Sequence, residues 1–246
     1  MAWANYTSGS VVSEMKPAVK SLSRREQNRQ EKRRRALDAA LSIFSKHGYA
    51  AASMDAIAGA AGMTKPTLYQ YFASKDELFQ AMMLAPRDQM MLAFDHAPDD
   101  CHVEQLLAFS WTYAKTVMHP EFLALARLII GDAGRSPDIG RAYQASGPDR
   151  VLKGLAGFMQ NQALLGRLEI DDAELAAEDF WGLILSAPRN RVLHIPDAYP
   201  DISELSRYIH NGIRVFLKAY SANPADDLLR LTKLISSSSE ERFRTN

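Results

Sequence analysis

The segment SMDAIAGAAGMTKPTLYQYF, residues 53–72, decides the fold, because it holds two helix starts with a glycine between them. Ser53 stands just before Met54, Ile57 and Ala58, where its hydroxyl can accept from the amides of a first helical turn. Gly62 ends that helix early, since glycine enters the left-handed stop conformation without a Cβ clash. Thr64 then precedes Lys65 and Pro66, and proline suits a first turn because its missing N–H had no partner there. The spacing predicts helices over 53–61 and 65–71, the second short and aromatic, with Leu68, Tyr69, Tyr71 and Phe72. Two short helices joined by a Gly-containing turn make a helix-turn-helix. Ala56, Ala60 and Ala61 are small enough for the pair to approach closely, and Ile57 and Leu68 are the core positions between them.

Outward from this segment the apolar period stays helical. Ala36, Leu37, Ala40, Leu41 and Phe44 predict a helix over 24–47 that stops at Gly48. Ser74, with Glu77 three residues on, forms a capping box for the next helix. Further helices are expected over 75–96, 103–118, 120–133, 136–165 with a break at Gly147 and Pro148, 171–193, 202–220 and 225–235. Pro188 should kink or end the helix that contains it. No segment alternates like a strand, so the fold class is all-α. The organisation expected is a mobile basic arm (1–23), a three-helix helix-turn-helix domain (24–74), a larger helical domain (75–235) and a frayed tail (236–246).

Composition narrows the function classes. The 246 residues are 47% hydrophobic and 24% charged, and no run approaches the roughly 20 apolar residues of a membrane span. The opening MAWANYTSGSVVSEM is unlike a signal peptide, so a cytoplasmic protein without a membrane partner is expected. The single Cys101 has no internal disulfide partner, and no Cys/His cluster shows zinc spacing, so neither metal nor cofactor is expected. His47, His96, His102, His119, His194 and His210 are scattered, without a Ser/His/Asp order or a Gly-rich phosphate loop, which argues against an enzyme. The formal net charge of zero hides an asymmetry. Residues 1–80 carry twelve Lys/Arg against seven Asp/Glu, whereas 81–246 carry 17 against 22. Nine basic side chains crowd residues 16–35 against Glu26 and Glu31 alone, the footprint of a phosphate-binding segment and equally the composition of a solvated basic tail.

The stretch from Arg35 to Phe79, centred on GYAAASMDAIAGAAGMTKPTLYQYFASKDELF, closely resembles the DNA-binding domain of the TetR family of bacterial transcription regulators. The elements that carry the resemblance are Phe44, Gly48-Tyr49, Ser53, Ile57-Ala58, Ala61-Gly62, Thr67-Leu68-Tyr69, Tyr71-Phe72 and Lys75, in that order. The resemblance implies that Ser53, Lys75 and the recognition-helix tyrosines Tyr69 and Tyr71 hold phosphates, and that Lys65, Pro66, Thr67 and Gln70 meet bases. Met54 and Thr64, at the two helix starts, complete the expected DNA-binding set. Side-chain chemistry is compatible: glutamine pairs with adenine, lysine donates to guanine, and proline or a threonine methyl touches the thymine methyl. A homodimer on a palindromic double-stranded DNA operator, released by a small-molecule effector, follows from the same resemblance. An activator of the same family, or a helical adaptor with a vestigial DNA-binding module, is the alternative.

The segment His119–Ile139, HPEFLALARLIIGDAGRSPDI, is similar to the C-terminal domain of AefR-type regulators. Trp111 and Met118, with Phe94, Phe122, Leu125, Phe158 and Trp181 on neighbouring elements, are candidates for an effector cavity, although each suits a plain core equally well. Met82, Met83, Met90 and Met91 give the connecting helix an adaptable face. Dimerisation is expected through the helices at about 171–193 and 202–220, because Phe180, Leu183, Ile184, Ile209, Ile213, Phe216 and Leu217 exceed what one buried face needs.

Overall fold

A computed structural model describes residues 23–95, 102–134 and 137–244. Residues 1–22 of the expected arm, His96, Cys101 and the last two residues lie outside the described residues, and Ser23, counted with the arm, is the N-cap of the first helix. Eleven helices and no strand are present among the described residues: α1 (Arg24–Ala51), α2 (Met54–Ala60), α3 (Lys65–Tyr69), α4 (Lys75–Asp95), α5 (His102–Val117), α6 (Pro120–Asp132), α7 (Pro137–Ser146), α8 (Pro148–Leu164), α9 (Ala173–His194), α10 (Ile202–Tyr220) and α11 (Pro224–Arg244).

The helix boundaries follow local chemistry. Ser23 and Glu26 form a reciprocal capping box that starts α1. Within α1 the helical conformation breaks at Gly48, whose φ of 76° lies in the left-handed region where a Cβ is disfavoured. Asp172 and Asp201 cap α9 and α10 by accepting first-turn amides. Pro188 neither ends α9 nor stays at its edge: the helix runs six residues past it to His194, and Pro188 is buried. Packing of α9 against α8 and α10 therefore outweighs the one amide donor that proline removes. Helix α11 also outruns its expected end at 235, continuing through the serine run to Arg244.

Two apolar cores organise the chain. The first joins α1, α2 and α3 around Phe44, Ile57, Leu68 and Phe72, and it takes in Leu78, Phe79, Met82 and Met83 of α4 and Leu125 and Ile129 of α6. The second joins α4, α5 and α8 to α11 through Met90, Phe109, Leu155, Met159, Phe180, Ile184, Ile213 and Phe216. Helix α4 thus has its N-terminal half in one core and Met90 in the other. That arrangement ties the orientation of α1–α3 to the packing of the larger bundle.

Two packing expectations change. Ala56 and Ala60 are exposed, and the α2–α3 contact rests on Ile57, Ala58, Ala61 and Leu68. Of the seven apolar residues expected to drive dimerisation, six (Phe180, Ile184, Ile209, Ile213, Phe216 and Leu217) are fully buried inside the single chain, and only Leu183 is exposed. Helices α9 and α10 bury those six against each other and the rest of the bundle, so what they leave open to a partner is a smaller apolar set, Leu175, Leu183, Ile202 and Val215.

Candidate nucleic-acid interface

Helix α3 is anchored from below and open above. Leu68, with no exposed surface, fixes it to the first core, while Thr64, Lys65, Pro66, Tyr69 and Gln70 are exposed and Thr67 and Tyr71 half-buried. Thr64 caps the helix by accepting from the Thr67 amide at 3.3 Å, and the two threonine hydroxyls pair at 2.8 Å. Ser53 accepts from the Ala56 amide at 3.1 Å and is exposed, so its own O–H remains able to donate to a phosphate oxygen. Met54 departs from its expected role. Its side chain is buried in the core, because the first residue of α2 turns its apolar group inward.

The turn between α2 and α3 is tied down by a residue from α1. The Arg35 guanidinium donates to the carbonyl oxygens of Ala61 and Gly62. Gly62 has φ +65°, the left-handed region that favours glycine, and an added Cβ would also displace the Arg35 guanidinium, whose nitrogen stands 2.5 Å from it. Of the basic run, Arg35 therefore serves the turn, Arg34 pairs with Glu31 and Asp38, and Arg33 lies over the Phe72 ring at 5.3 Å. Arg24, Arg25 and Arg29 lie on the exposed surface of α1.

Lys65 and Lys75 have partners that the sequence did not announce. The Lys65 ammonium donates to Asp55 of α2 at 2.8 Å, and this bond holds the lysine above its usual pKa, so it stays cationic at any physiological pH. Lys75 sends its ammonium to the carbonyls of Tyr49 (2.9 Å), Ala52 (3.1 Å) and Ala50 (3.4 Å) and lies 4.4 Å from the Tyr49 ring centroid. Those carbonyls end α1, where unsatisfied oxygens carry partial negative charge. Lys75 thus acts first as a C-terminal cap that holds α4 to α1. Lys75→Met should lower stability by about 1–3 kcal/mol, because it removes a charged donor from part-buried acceptors, as measured by urea unfolding.

Helix α4 opens as the sequence indicated. Ser74 accepts from the Glu77 amide at 3.0 Å, and the Glu77 carboxylate reaches one residue further back than a standard box, to the Ala73 amide at 2.7 Å.

In the larger domain the seven cavity candidates separate. Phe94 stacks on Phe158 at 4.2 Å and on Phe109 at 5.2 Å; Phe109 continues to Tyr113 at 6.0 Å and Tyr113 to Trp181 at 5.3 Å. This aromatic row runs from the end of α4 to α9. Trp111 stands apart, against His210. Met118 packs in a small third cluster with Leu123 and Val192, while Leu125 and Phe122 belong to the first core. A cavity of about 420 Å³ is lined by Tyr113, Trp181, Leu185, Ser186, Ala187, Arg189, Asn190 and Leu193, so Trp181 alone among the candidates faces it. Tyr113 and Arg189 escaped the sequence reading, since neither a tyrosine inside an amphipathic helix nor an arginine after a proline marks a cavity.

A profile described as bacterial regulatory proteins of the tetR family matches residues 36–82, and one described as the C-terminal domain of AefR-like transcriptional repressors matches 104–222. The HTH-type transcriptional regulator SrpR of Pseudomonas putida is 31% identical over 158 residues, which cover 63% of this chain and 72% of that protein. The chain belongs to the TetR family. Among its TetR-family relatives, the HTH-type transcriptional activator FasR of Mycolicibacterium smegmatis is 46% identical over 63 residues, 26% of this chain and only 29% of that protein. The crystal structure of a TetR-family regulator from Mesorhizobium loti superimposes with a TM-score of 0.64 at 29% identity, over 78% of this chain and 98% of that one. No helix among the described residues is long and apolar enough to cross a membrane.

Proposed function

We propose that this TetR-family chain is a cytoplasmic, non-catalytic transcription regulator, a repressor that binds a palindromic operator as a homodimer and leaves it when a small molecule binds the larger domain. The observation that carries the proposal is α3. It presents Lys65 and Pro66 at its leading end and Gln70 at its C-cap to solvent while Leu68 locks it to the core, as an element entering a major groove about 12 Å wide requires. Gln70 and Lys65 read base edges, Pro66 and Thr67 provide apolar contact, and Ser53, Thr64, Tyr69, Tyr71, Lys75 and the exposed arginines of α1 hold phosphates. The match to an AefR-like repressor profile favours repression.

The dimer forms through α9 and α10, although not through the residues first expected. The outward stripe of α9 has the small residue Gly182 beside Leu175 and Leu183, with Glu178 and Asp179. The outward stripe of α10 has Arg207, Arg214, Val215 and Lys218. Setting α9 of one protomer against α10 of its partner brings opposite charges together around a closely packed centre, and two-fold symmetry repeats the contact. The switch runs through α4. Phe94 near its end joins the aromatic row that reaches Trp181, and its first half is embedded in the core of α1–α3, so repacking at the cavity rotates the recognition helices. The effector must bind the DNA-free arrangement more tightly than the DNA-bound one.

Selection from random duplexes tests the reading. A palindrome with half-sites about one helical turn apart should be enriched, and its affinity should fall steeply with salt as counterions are released. Equal binding to the selected and scrambled duplexes at low ionic strength would falsify it.

A further inference from the structure

Resting on the reading that the larger domain binds an effector, we infer that the cavity beside Trp181 takes an organic anion: a carboxylate or phenolate attached to an apolar body. The walls supply both halves of that description. Trp181, Leu185, Ala187 and Leu193 are apolar, while Tyr113, Arg189, Ser186 and Asn190 are polar. A volume of about 420 Å³ lies within the range of small-molecule sites.

The donors are what select the charge. Trp181 donates its indole N–H to the Tyr113 oxygen, which leaves the Tyr113 O–H to donate elsewhere. Burial pushes the Tyr113 phenol well above its usual pKa against the opposing pull of the Arg189 charge, so it remains a protonated donor. Arg189 lines the same cavity, and its Nε is buried without any hydrogen-bond partner. A buried guanidinium N–H without an acceptor is unfavourable, and the group that relieves it is an acceptor oxygen, best an ionised one. None of the ion pairs among the described residues involves Arg189, so no described carboxylate is paired with it. Tyr113 and Arg189 together form a two-donor end facing apolar walls, which suits the oxygens of one carboxylate or phenolate. The same Tyr113 and Trp181 end the aromatic row that leads to Phe94 of α4, so an anion seated here lies on the route to the recognition helices.

Full-length protein would be titrated with naphthalene-2-carboxylate and octanoate, each beside its neutral amide, following tryptophan fluorescence and the melting temperature. At least one acid should bind tenfold or more tightly than its amide. Arg189→Met should bring that ratio close to one with an unliganded melting temperature near that of the parent, and Tyr113→Phe, which lowers the melting temperature by leaving the Trp181 N–H without its acceptor, should reduce the ratio severalfold. Acids that bind no better than amides, or not at all up to millimolar concentration, overturn the inference, as does an acid preference that survives Arg189→Met. Binding of the parent and both variants to the selected palindrome is measured in parallel without added acid. Retained DNA binding with no acid preference sinks this inference and leaves the proposed function standing; acid preference without any palindrome binding does the reverse.

Discussion

Gly212→Val should lower the stability of the protein by about 3 kcal/mol and leave it monomeric, because an added Cβ would stand 2.7 Å from the Leu183 carbonyl oxygen, 2.9 Å from its carbon and 3.0 Å from the Ile184 Cα. All three are backbone atoms of α9, so no side chain can swing aside. The helices themselves have to separate, and the buried contacts of Phe180, Ile184, Ile213 and Phe216 loosen with them. Gly212→Ala tests the sign. In an open helical position alanine gains about 0.5–1 kcal/mol over glycine, and Gly157 in α8, with nothing within 4 Å of an added Cβ, should show that gain. At position 212 the same substitution should destabilise. Urea unfolding of the three variants, with light scattering for oligomeric state, decides the matter. A Gly212→Val protein that melts like the parent and keeps its assembly would show that α9 and α10 do not pack as described.

The second large effect is on DNA. Gln70→Ala and Lys65→Ala should each lose about 1–3 kcal/mol of discrimination per half-site, and about twice that for a dimer reading both halves of a palindrome. Loss at one base position with others intact separates these variants from a phosphate contact, whose removal weakens all duplexes alike. Lys65 has a further consequence. Its ammonium is held by Asp55 at 2.8 Å, so reaching a guanine means exchanging that partner. Asp55→Asn should therefore raise affinity for the palindrome at least as much as for scrambled DNA. Competition binding against duplexes substituted one base pair at a time measures both effects. Variants that keep full discrimination would remove Lys65 and Gln70 from the base-reading set.

Much of the first domain could be read from the chain because its signals are local. The caps at Ser53, Thr64 and Ser74 and the stop at Gly48 depend on atoms within three or four residues. Their neighbours in sequence are their neighbours in space. Even there, the bonds across elements stayed hidden. That Lys75 caps the end of α1, and that Arg35 grips the turn at Ala61 and Gly62, involves partners about 25 residues away.

What the amino-acid sequence alone determined is the order of helices and the short capped helix α3 with its exposed edge, since helical period and capping chemistry act over one turn at a time. Only the tertiary structure decided how each apolar side chain is used. Phe180 and Ile213 look like interface residues in one dimension and are core in three, while Trp181 faces a cavity and Leu125 fills the first core. Burial belongs to the meeting of distant surfaces, and one helix's pattern says that a face is covered without saying by what. The same reason kept Arg189 out of view: its unsatisfied nitrogen exists only where α9 closes over Tyr113 of α5.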